Sequence, residues 1–141
     1  MIKESFCSED TFEFGRKLGE AAEPGEVYAL TGDLGTGKTV FAQGFAAGLG
    51  IAEPVNSPTF TILKIYEQGR LPLYHFDVYR IEDPDEMYEV GYEEYFGGDG
   101  VALVEWAELM DELMPDDAIK ISITKDPGRG DDYRLISCDK E

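Results

Sequence analysis

The sequence predicts a single α/β domain over residues 1–141, a three-layer sandwich with a mixed, largely parallel sheet. Segments with apolar residues at helical spacing alternate with short β-favouring runs, and one of these, Val101–Val104, is continuously apolar like a buried parallel strand. A glycine-rich segment at residues 32–39 lies between one such run and a helical segment. With 141 residues, 43% of them apolar, the chain can form one core but not two ordinary domains.

The N-terminal segment is predicted to form a strand and then a helix. Ile2–Phe6 is the predicted strand, and Ser8 is suited to cap the helix that follows it. The first turn of that helix carries Glu9 and Asp10, whose charges suit the positive end of the helix dipole. Pro24–Gly25 is expected to end the helix.

Residues 32–39 match the phosphate-binding pattern G-x-x-x-x-G-K-[ST] at every fixed position. The pattern needs a strand before it and a helix after it, and Val27–Thr31 and Val40–Leu49 are predicted to supply them. Its glycines let backbone N–H groups surround a phosphate chain, while Lys38 can reach the outer phosphates and the Thr39 hydroxyl can ligate Mg²⁺. The sequence therefore predicts a P-loop NTPase domain.

The nucleotide is expected to be ATP rather than GTP. The pattern D-x-x-G is absent, and Thr124–Asp126 lacks both the Asn and the spacing of N-K-x-D. The few arginines form no lid cluster, so a small-molecule kinase is less favoured, and we expect the isolated site to lack a full set of cations for the γ-phosphate. The residues predicted to bind the nucleotide in and after the loop are Asp33, Leu34, Gly35, Thr36, Gly37, Lys38, Thr39 and Val40.

The middle of the chain is predicted to contain a hairpin and a short helix. Thr59–Tyr66 and Leu71–Phe76 are expected to pair, with Pro72 at a strand start or a sheet edge because proline lacks a backbone N–H. Asp83 can cap a short helix that has Pro84 at its first position.

The last part of the chain is predicted to add three strands and a helix. Val101–Val104 is the buried parallel strand, and a helix over Leu109–Met114 is expected to end before a proline. Ala118–Thr124 and Tyr133–Ser137 are predicted to form a terminal hairpin.

Two carboxylates directly follow predicted strands, at the edge where open α/β sheets bind their ligands. These are Asp77 and Glu105, and such acids serve the metal ion in P-loop NTPases. Either one can hold Mg²⁺ while the other orients the attacking water; alternatively each caps a helix or pairs with Arg80. Thr59 lies where GTPases keep a switch segment, although a threonine that simply favours a strand explains it equally well.

The formal charge of −18, with 30 acidic and 12 basic residues, disfavours direct binding of nucleic acid. A protein of this charge that acts on nucleic acid is expected to do so through a basic partner. The acidic run Asp83–Glu94 is interpreted as a solvated face or as a docking surface for such a partner. The tyrosines clustered in the same half of the chain suit an interface or the core.

Other features indicate a cytoplasmic protein without a membrane anchor. The charged start lacks a signal peptide, and the longest apolar stretch, residues 40–52, is too short to span a membrane. Cys7 and Cys138 are expected to be free thiols. His75 is the single histidine, which excludes a multi-histidine metal centre.

Four motifs together resemble the TsaE (YjeE) family, and the resemblance covers nearly the whole chain. They occur in the family's order and spacing and comprise Gly32–Thr39, Ser57–Phe60, His75–Arg80 and Glu105–Glu108. The resemblance implies a small bacterial ATPase that acts with the TsaB–TsaD pair in making the threonylcarbamoyl-adenosine of tRNA position 37. It also implies that this protein does not transfer the threonylcarbamoyl group itself, and that tRNA is contacted only through the partners.

The resemblance also implies roles for individual residues, with ATP and Mg²⁺ as the cofactors. Lys38 and the loop amides would hold phosphates, and Thr39 and Glu105 would serve Mg²⁺. Asp77 would be a catalytic acid or would orient water. Two further site residues are implied: Thr59, in a switch-like segment, and Trp106, beside the site. One alternative remains open: a nucleotide-dependent binding module in which hydrolysis is not essential.

Overall fold

The structure is a computed structural model that describes residues 1–32, 35–55, 62–79, 81–83 and 85–140. Within these residues the strands are β1 Ile2–Ser5, β2 Val27–Thr31, β3 Leu63–Tyr66, β4 Leu73–Asp77, β5 Val101–Glu105, β6 Ile119–Lys125 and β7 Arg134–Cys138. The α-helices are α1 Ser8–Ala21, α2 Lys38–Gly48, α3 Asp85–Glu89 and α4 Tyr92–Tyr95. Two 3₁₀ segments cover Ala107–Leu113 and Pro127–Arg129.

The strands form one mixed sheet in the order β1-β7-β6-β2-β5-β4-β3. The four central strands are parallel, with β2 between β6 and β5, and β5 between β2 and β4. The outer strands pair antiparallel: β7 with β6, β1 with β7, and β3 with β4. Parallel strands need both faces covered, and the all-apolar start of β5 is buried throughout.

Helices cover both faces of the sheet, which confirms the predicted three-layer sandwich. On one face α1 and α2 contribute Phe14, Phe41 and Phe45 to a buried cluster. On the other face α3 and α4 contribute Met87 and Tyr92 to a second one. The exposed acids of residues 83–94 therefore lie opposite buried apolar positions, as a solvated face requires. Among the clustered tyrosines, those buried in the core are Tyr66, Tyr74 and Tyr92.

Close contact between α1 and α2 fixes the position of the helix that follows the loop. A Cβ atom on Gly19 would lie 2.1 Å from the Phe45 carbonyl oxygen, and one on Gly48 would lie 2.1 Å from that of Arg16. No larger side chain fits at either position, so the two backbones touch. The α2 axis, and with it the loop at its N-terminus, is therefore held against α1.

Several predicted boundaries are confirmed. The terminal hairpin is formed by β6 and β7. Strand β4 begins directly after Pro72. The Asp83 carboxylate accepts a hydrogen bond of 3.0 Å from the backbone N–H of Asp85, so it caps α3 as expected. Pro84 and residues 59–61 of the predicted hairpin lie outside the described residues.

Two details of the helix predictions are wrong. The residue that precedes α1 in extended conformation is Cys7, so Ser8 is already helical and its hydroxyl does not cap. The Asp10 carboxylate instead accepts a hydrogen bond of 3.0 Å from the backbone N–H of Phe6. The helix predicted over Leu109–Met114 is a 3₁₀ segment interrupted at Met110, because so short a helix is shaped by packing rather than by propensity. In the described part of the chain, none of the helices is long and apolar enough to cross a membrane.

Candidate nucleotide-binding site

The glycine-rich loop connects β2 directly to α2. Gly35 and Gly37 have φ angles of 77° and 101°, a conformation that side chains beyond glycine rarely adopt. Helix α2 begins at Lys38, two residues earlier than the sequence predicted. Its first turn therefore presents backbone N–H groups at the loop, where they favour an anion. Asp33 and Leu34, which were predicted to bind nucleotide, lie outside the described residues.

Lys38 joins the loop to the end of β5. The side chain is buried, and its Nζ donates a hydrogen bond to the carbonyl oxygen of Gly32. The same Nζ lies 3.2 Å from the ring centroid of Trp106, a cation–π contact. The predicted phosphate-binding lysine and the predicted neighbour of the site are therefore in contact.

Trp106 has a strained backbone. Its φ angle is 61°, and it is the one non-glycine residue with a positive φ in the described part of the chain. A left-handed conformation costs on the order of 1–3 kcal/mol for such a residue, so the surrounding structure must enforce it. The indole packs on Tyr79, whose ring centroid lies 4.7 Å away and whose side chain is half exposed. This aromatic pair forms one wall beside Lys38.

The two predicted acids are brought together by the register of the parallel strands. Asp77 of β4 pairs with Glu105 of β5, which in turn pairs with Leu30 of β2 just before the loop. The ends of β2, β5 and β4 therefore lie side by side, with the loop and both carboxylates at one edge. The position of the predicted switch residue, Thr59, lies outside the described residues.

The pKa of the Asp77 carboxyl is raised, chiefly because partial burial penalises its charged form. The negative charge of Glu105 raises this pKa further. A hydrogen bond of 3.0 Å from the Tyr79 backbone N–H, and electrostatic interactions with His75 and Lys38, lower this pKa. A carboxylate with a raised pKa accepts a proton more readily than an ordinary aspartate.

His75 contacts Glu105, the acid predicted to serve Mg²⁺, and the sequence reasoning missed this contact. It is fully buried, and its Nε2 lies 2.5 Å from Oε2 of Glu105, which is also buried. Its Nδ1 has no hydrogen-bond partner among the described residues. The signal was present in the strand period: His75 and Asp77 share a face of β4, and the register aligns that face with Glu105.

Two cations from the β6–β7 hairpin adjoin the loop. Arg134 donates hydrogen bonds to the carbonyl oxygens of Thr36, at 2.9 Å, and Gly35, at 3.2 Å. Lys125 is also close, because a Cβ atom on Gly35 would lie 3.2 Å from its Nζ. Arg134 is 98 positions from Thr36 in the sequence, and no local pattern links the two. Arg80 lies outside the described residues.

A cavity of about 160 Å³ adjoins the loop. Its lining includes Thr11 of α1, Thr36 and Gly37 of the loop, Val40 of α2, and Arg134 of β7. Val40, which was predicted to contact the nucleotide, therefore lines this cavity.

The oxygen donors suit Mg²⁺, which proteins commonly bind through one or two carboxylates together with substrate phosphates. Thr39 places a hydroxyl on the first turn of α2, and Glu105 and Asp77 place carboxylates at the neighbouring strand ends. No cluster of three or more His, Cys, Asp or Glu side chains suited to a metal occurs among the residues that the structure describes. One hydroxyl and two carboxylates fit a Mg²⁺ ion that phosphates would also ligate.

A mixed sheet whose central parallel strand leads through G-x-x-x-x-G-K-T into a helix defines a P-loop protein. A family model described as "Threonylcarbamoyl adenosine biosynthesis protein TsaE" matches residues 6–133. The chain belongs to this TsaE family, which confirms the resemblance seen in its motifs.

Known proteins similar to the chain agree with this assignment. A TsaE protein of tRNA threonylcarbamoyladenosine biosynthesis from Bacillus subtilis is 52% identical over 129 residues, covering 92% of this chain and 78% of the relative. One from Treponema pallidum is 42% identical over 119 residues, covering 84% and 87%. A crystal structure of Bacillus subtilis YdiB matches with a TM-score of 0.79 and 43% identity, covering 96% of this chain and 82% of that one.

Proposed function

We propose that this chain is a Mg²⁺-dependent ATPase that supports threonylcarbamoylation of tRNA adenosine 37 by acting on a TsaB–TsaD pair. The observation that carries the proposal is the meeting of the loop lysine, Lys38, with two strand-end acids, Asp77 and Glu105, at one edge of the sheet. The names of the curated relatives support the placement in tRNA threonylcarbamoyladenosine biosynthesis.

Binding of ATP would use the loop and the cavity beside it. The N–H groups of the loop and of the first turn of α2 donate to the phosphate chain, and the Lys38 ammonium moves from the Gly32 carbonyl to the outer phosphates. The nucleoside then extends along the cavity bordered by Val40 and Thr11. The ring of Trp106 keeps Lys38 near this position in the absence of nucleotide.

Hydrolysis would use the acids at the ends of β4 and β5. Thr39 and Glu105 would hold Mg²⁺, which when bound offsets the charge of the phosphates. His75 donates from Nε2 to Glu105 and so fixes the direction of that carboxylate. Asp77, whose pKa is raised, would orient the attacking water and accept its proton.

Partners would bring the tRNA. The charge of −18 repels a phosphate backbone, so the chain is expected to bind the basic surfaces of its partners rather than the nucleic acid itself. We expect this to occur in the cytoplasm.

A nucleotide-dependent binding module is the second candidate, because a loop that binds ATP can also shape a docking surface without turnover. The two functions separate in Asp77→Ala and Glu105→Ala variants that calorimetry shows still bind ATP. In a reconstituted tRNA modification reaction with TsaB and TsaD, an ATPase requires these carboxylates, so both variants lose repeated rounds of modification. A binding module retains them, and full activity of both variants would therefore refute the ATPase proposal.

A further inference from the structure

The guanidinium of Arg134 makes an unusual number of contacts with main-chain atoms. Nε donates to the carbonyl oxygen of Thr36 at 2.9 Å, and Nη2 donates to that of Gly35 at 3.2 Å. Nη1 donates to the carbonyl oxygens of Asp131, at 2.6 Å, and Tyr133, at 2.8 Å. Four of the five N–H groups of an arginine are therefore used on backbone carbonyls of two segments.

These contacts set the orientation of two peptide units in the phosphate-binding loop. In a planar trans peptide the C=O of one residue and the N–H of the next point in opposite directions. Because the Gly35 and Thr36 carbonyls point at Arg134, the N–H groups of Thr36 and Gly37 point away from it. A loop that binds phosphates needs its N–H groups turned inward and its carbonyl oxygens turned outward.

We propose that Arg134 is a positioning residue of the phosphate loop, holding the Gly35 and Thr36 carbonyls outward so that the amides are preorganised for a polyphosphate. This inference rests on the proposed nucleotide site. Arg134 acts through the loop, because its donors are engaged with the backbone rather than directed at a ligand. Because Arg134 is the first residue of β7, it also ties the loop to the sheet.

A second arginine provides a matched control. Nη2 of Arg70 donates to the carbonyl oxygens of Gly19, Glu20 and Ala22, at 2.7, 2.8 and 2.8 Å, at the C-terminal end of α1. The backbone N–H of Arg70 also donates to the Leu49 carbonyl, just past the end of α2. Because α2 has 11 residues, this end lies about 16 Å from the loop. Arg70 thus has the same chemistry at a site remote from the phosphates.

The experiment compares Arg134→Gln, Arg134→Lys and Arg70→Gln with the wild type by calorimetric titration with MgATP, together with thermal unfolding. Arg134→Gln is expected to weaken ATP binding on the order of 10-fold or more, because two loop peptides lose their charged hydrogen-bond partner. Arg134→Lys is expected to bind nearly as weakly, since a lysine keeps the charge but lacks the rigid planar fork that fixes the direction of two carbonyls. Arg70→Gln is expected to lower the unfolding temperature and to bind ATP within about twofold of the wild type.

A spectroscopic readout separates positioning from a general loss of structure. Without nucleotide, the backbone amide resonances of Thr36 and Gly37 are expected to shift in Arg134→Gln and to stay unchanged in Arg70→Gln. If Arg134→Gln does not fold, the MgATP titration and the amide resonances are measured on Arg134→Lys instead.

The outcomes distinguish this inference from the proposed function. A wild-type chain that does not bind ATP refutes the nucleotide site itself. The positioning role alone is refuted if the wild type binds ATP and Arg134→Gln or Arg134→Lys binds it equally well. It is also refuted if the Thr36 and Gly37 amide resonances do not shift in Arg134→Gln.

Discussion

The two sides of the candidate site are held in different ways. On the loop side the contacts go to main-chain atoms: Lys38 donates to the Gly32 carbonyl, and Arg134 to those of Gly35 and Thr36. On the acid side the contacts join side chains from separate strands, above all the buried pair of His75 and Glu105. The loop side thus has a shape fixed by the backbone, whereas the acid side depends on side-chain chemistry.

This difference predicts a division of labour between the two sides. Changes on the loop side are expected to alter nucleotide affinity, because the backbone N–H groups and Lys38 meet the phosphates. Changes on the acid side are expected to alter hydrolysis or stability and to leave most of the affinity intact.

Lys38→Ala is expected to give the largest effect. The Lys38 ammonium is the positively charged group that the loop itself brings to the outer phosphates. Loss of a charged hydrogen bond of about 2–3 kcal/mol corresponds to a loss on the order of 100-fold in ATP affinity. The ATP affinity is measured by calorimetry. Lys64→Ala, which changes an exposed lysine, is the control. Equal losses in both variants, or none in either, would contradict the assignment of the loop.

Glu105→Gln is expected to lower Mg²⁺-dependent hydrolysis roughly 100-fold and to change ATP affinity far less. Removing one carboxylate charge acts mainly where charge develops in the transition state. Steady-state hydrolysis and calorimetry are compared with Glu108→Gln, which changes an exposed acid three positions away. If Glu105→Gln hydrolysed ATP as fast as the control, the metal role would pass to Asp77.

Replacing His75 tests whether the acid side depends on its buried pair. His75→Leu leaves the Glu105 carboxylate buried without this partner, which is expected to cost about 1–3 kcal/mol in the free energy of unfolding. His75→Gln keeps an N–H donor and is expected to recover much of this loss. Urea unfolding of the two variants is the measurement, and equal stabilities would show that the hydrogen bond to Glu105 contributes nothing.

Asp77→Asn is expected to have the smallest effect on stability, and this effect depends on pH. Because burial raises the pKa of Asp77 in the folded chain, the folded state binds more protons than the unfolded state just above the ordinary pKa of 3.8. Stability therefore falls as pH rises through this window, and the cost persists at neutral pH. Asparagine removes the charge, so the variant gains stability relative to the wild type at neutral pH but not below 3.8. A gain that is equal at both pH values would show that it does not come from ionisation.

The sequence carried different amounts of information about the two sides. The loop could be predicted because its glycines, Lys38 and Thr39 form one local pattern between a strand and a helix. The position of Asp77 and Glu105 beside the loop could be predicted because both residues follow apolar runs that are typical of parallel strands, whose carboxyl ends meet. The contact of His75 with Glu105 needed the strand register in addition, and the sequence reasoning assigned His75 no role in the site.

Contacts between distant segments could not be predicted. Arg134 reaches the loop because β7 runs antiparallel to β6, which places its first residue beside the C-terminal end of β6, and no local pattern of charges marks that approach. The helix expected over Leu109–Met114 became a 3₁₀ segment because it follows the left-handed Trp106 and is too short for propensity to decide.

The central claim is that this chain is an ATPase that depends on its partners. Arg134 adjoins the loop, but its donors are engaged with backbone carbonyls rather than directed at a phosphate. That the isolated site lacks a full set of cations for the γ-phosphate therefore stays a prediction. An arginine supplied by another subunit accelerates GTPases roughly 10³–10⁵-fold. The direct test is the rate of ATP hydrolysis by the wild-type chain alone and with the TsaB–TsaD pair, with Lys38→Ala as the blank. We expect the wild-type chain to hydrolyse ATP slowly by itself and clearly faster with the TsaB–TsaD pair, and Lys38→Ala to show no stimulation. A wild-type rate that the pair does not raise, or that equals the Lys38→Ala rate with and without the pair, would contradict this claim.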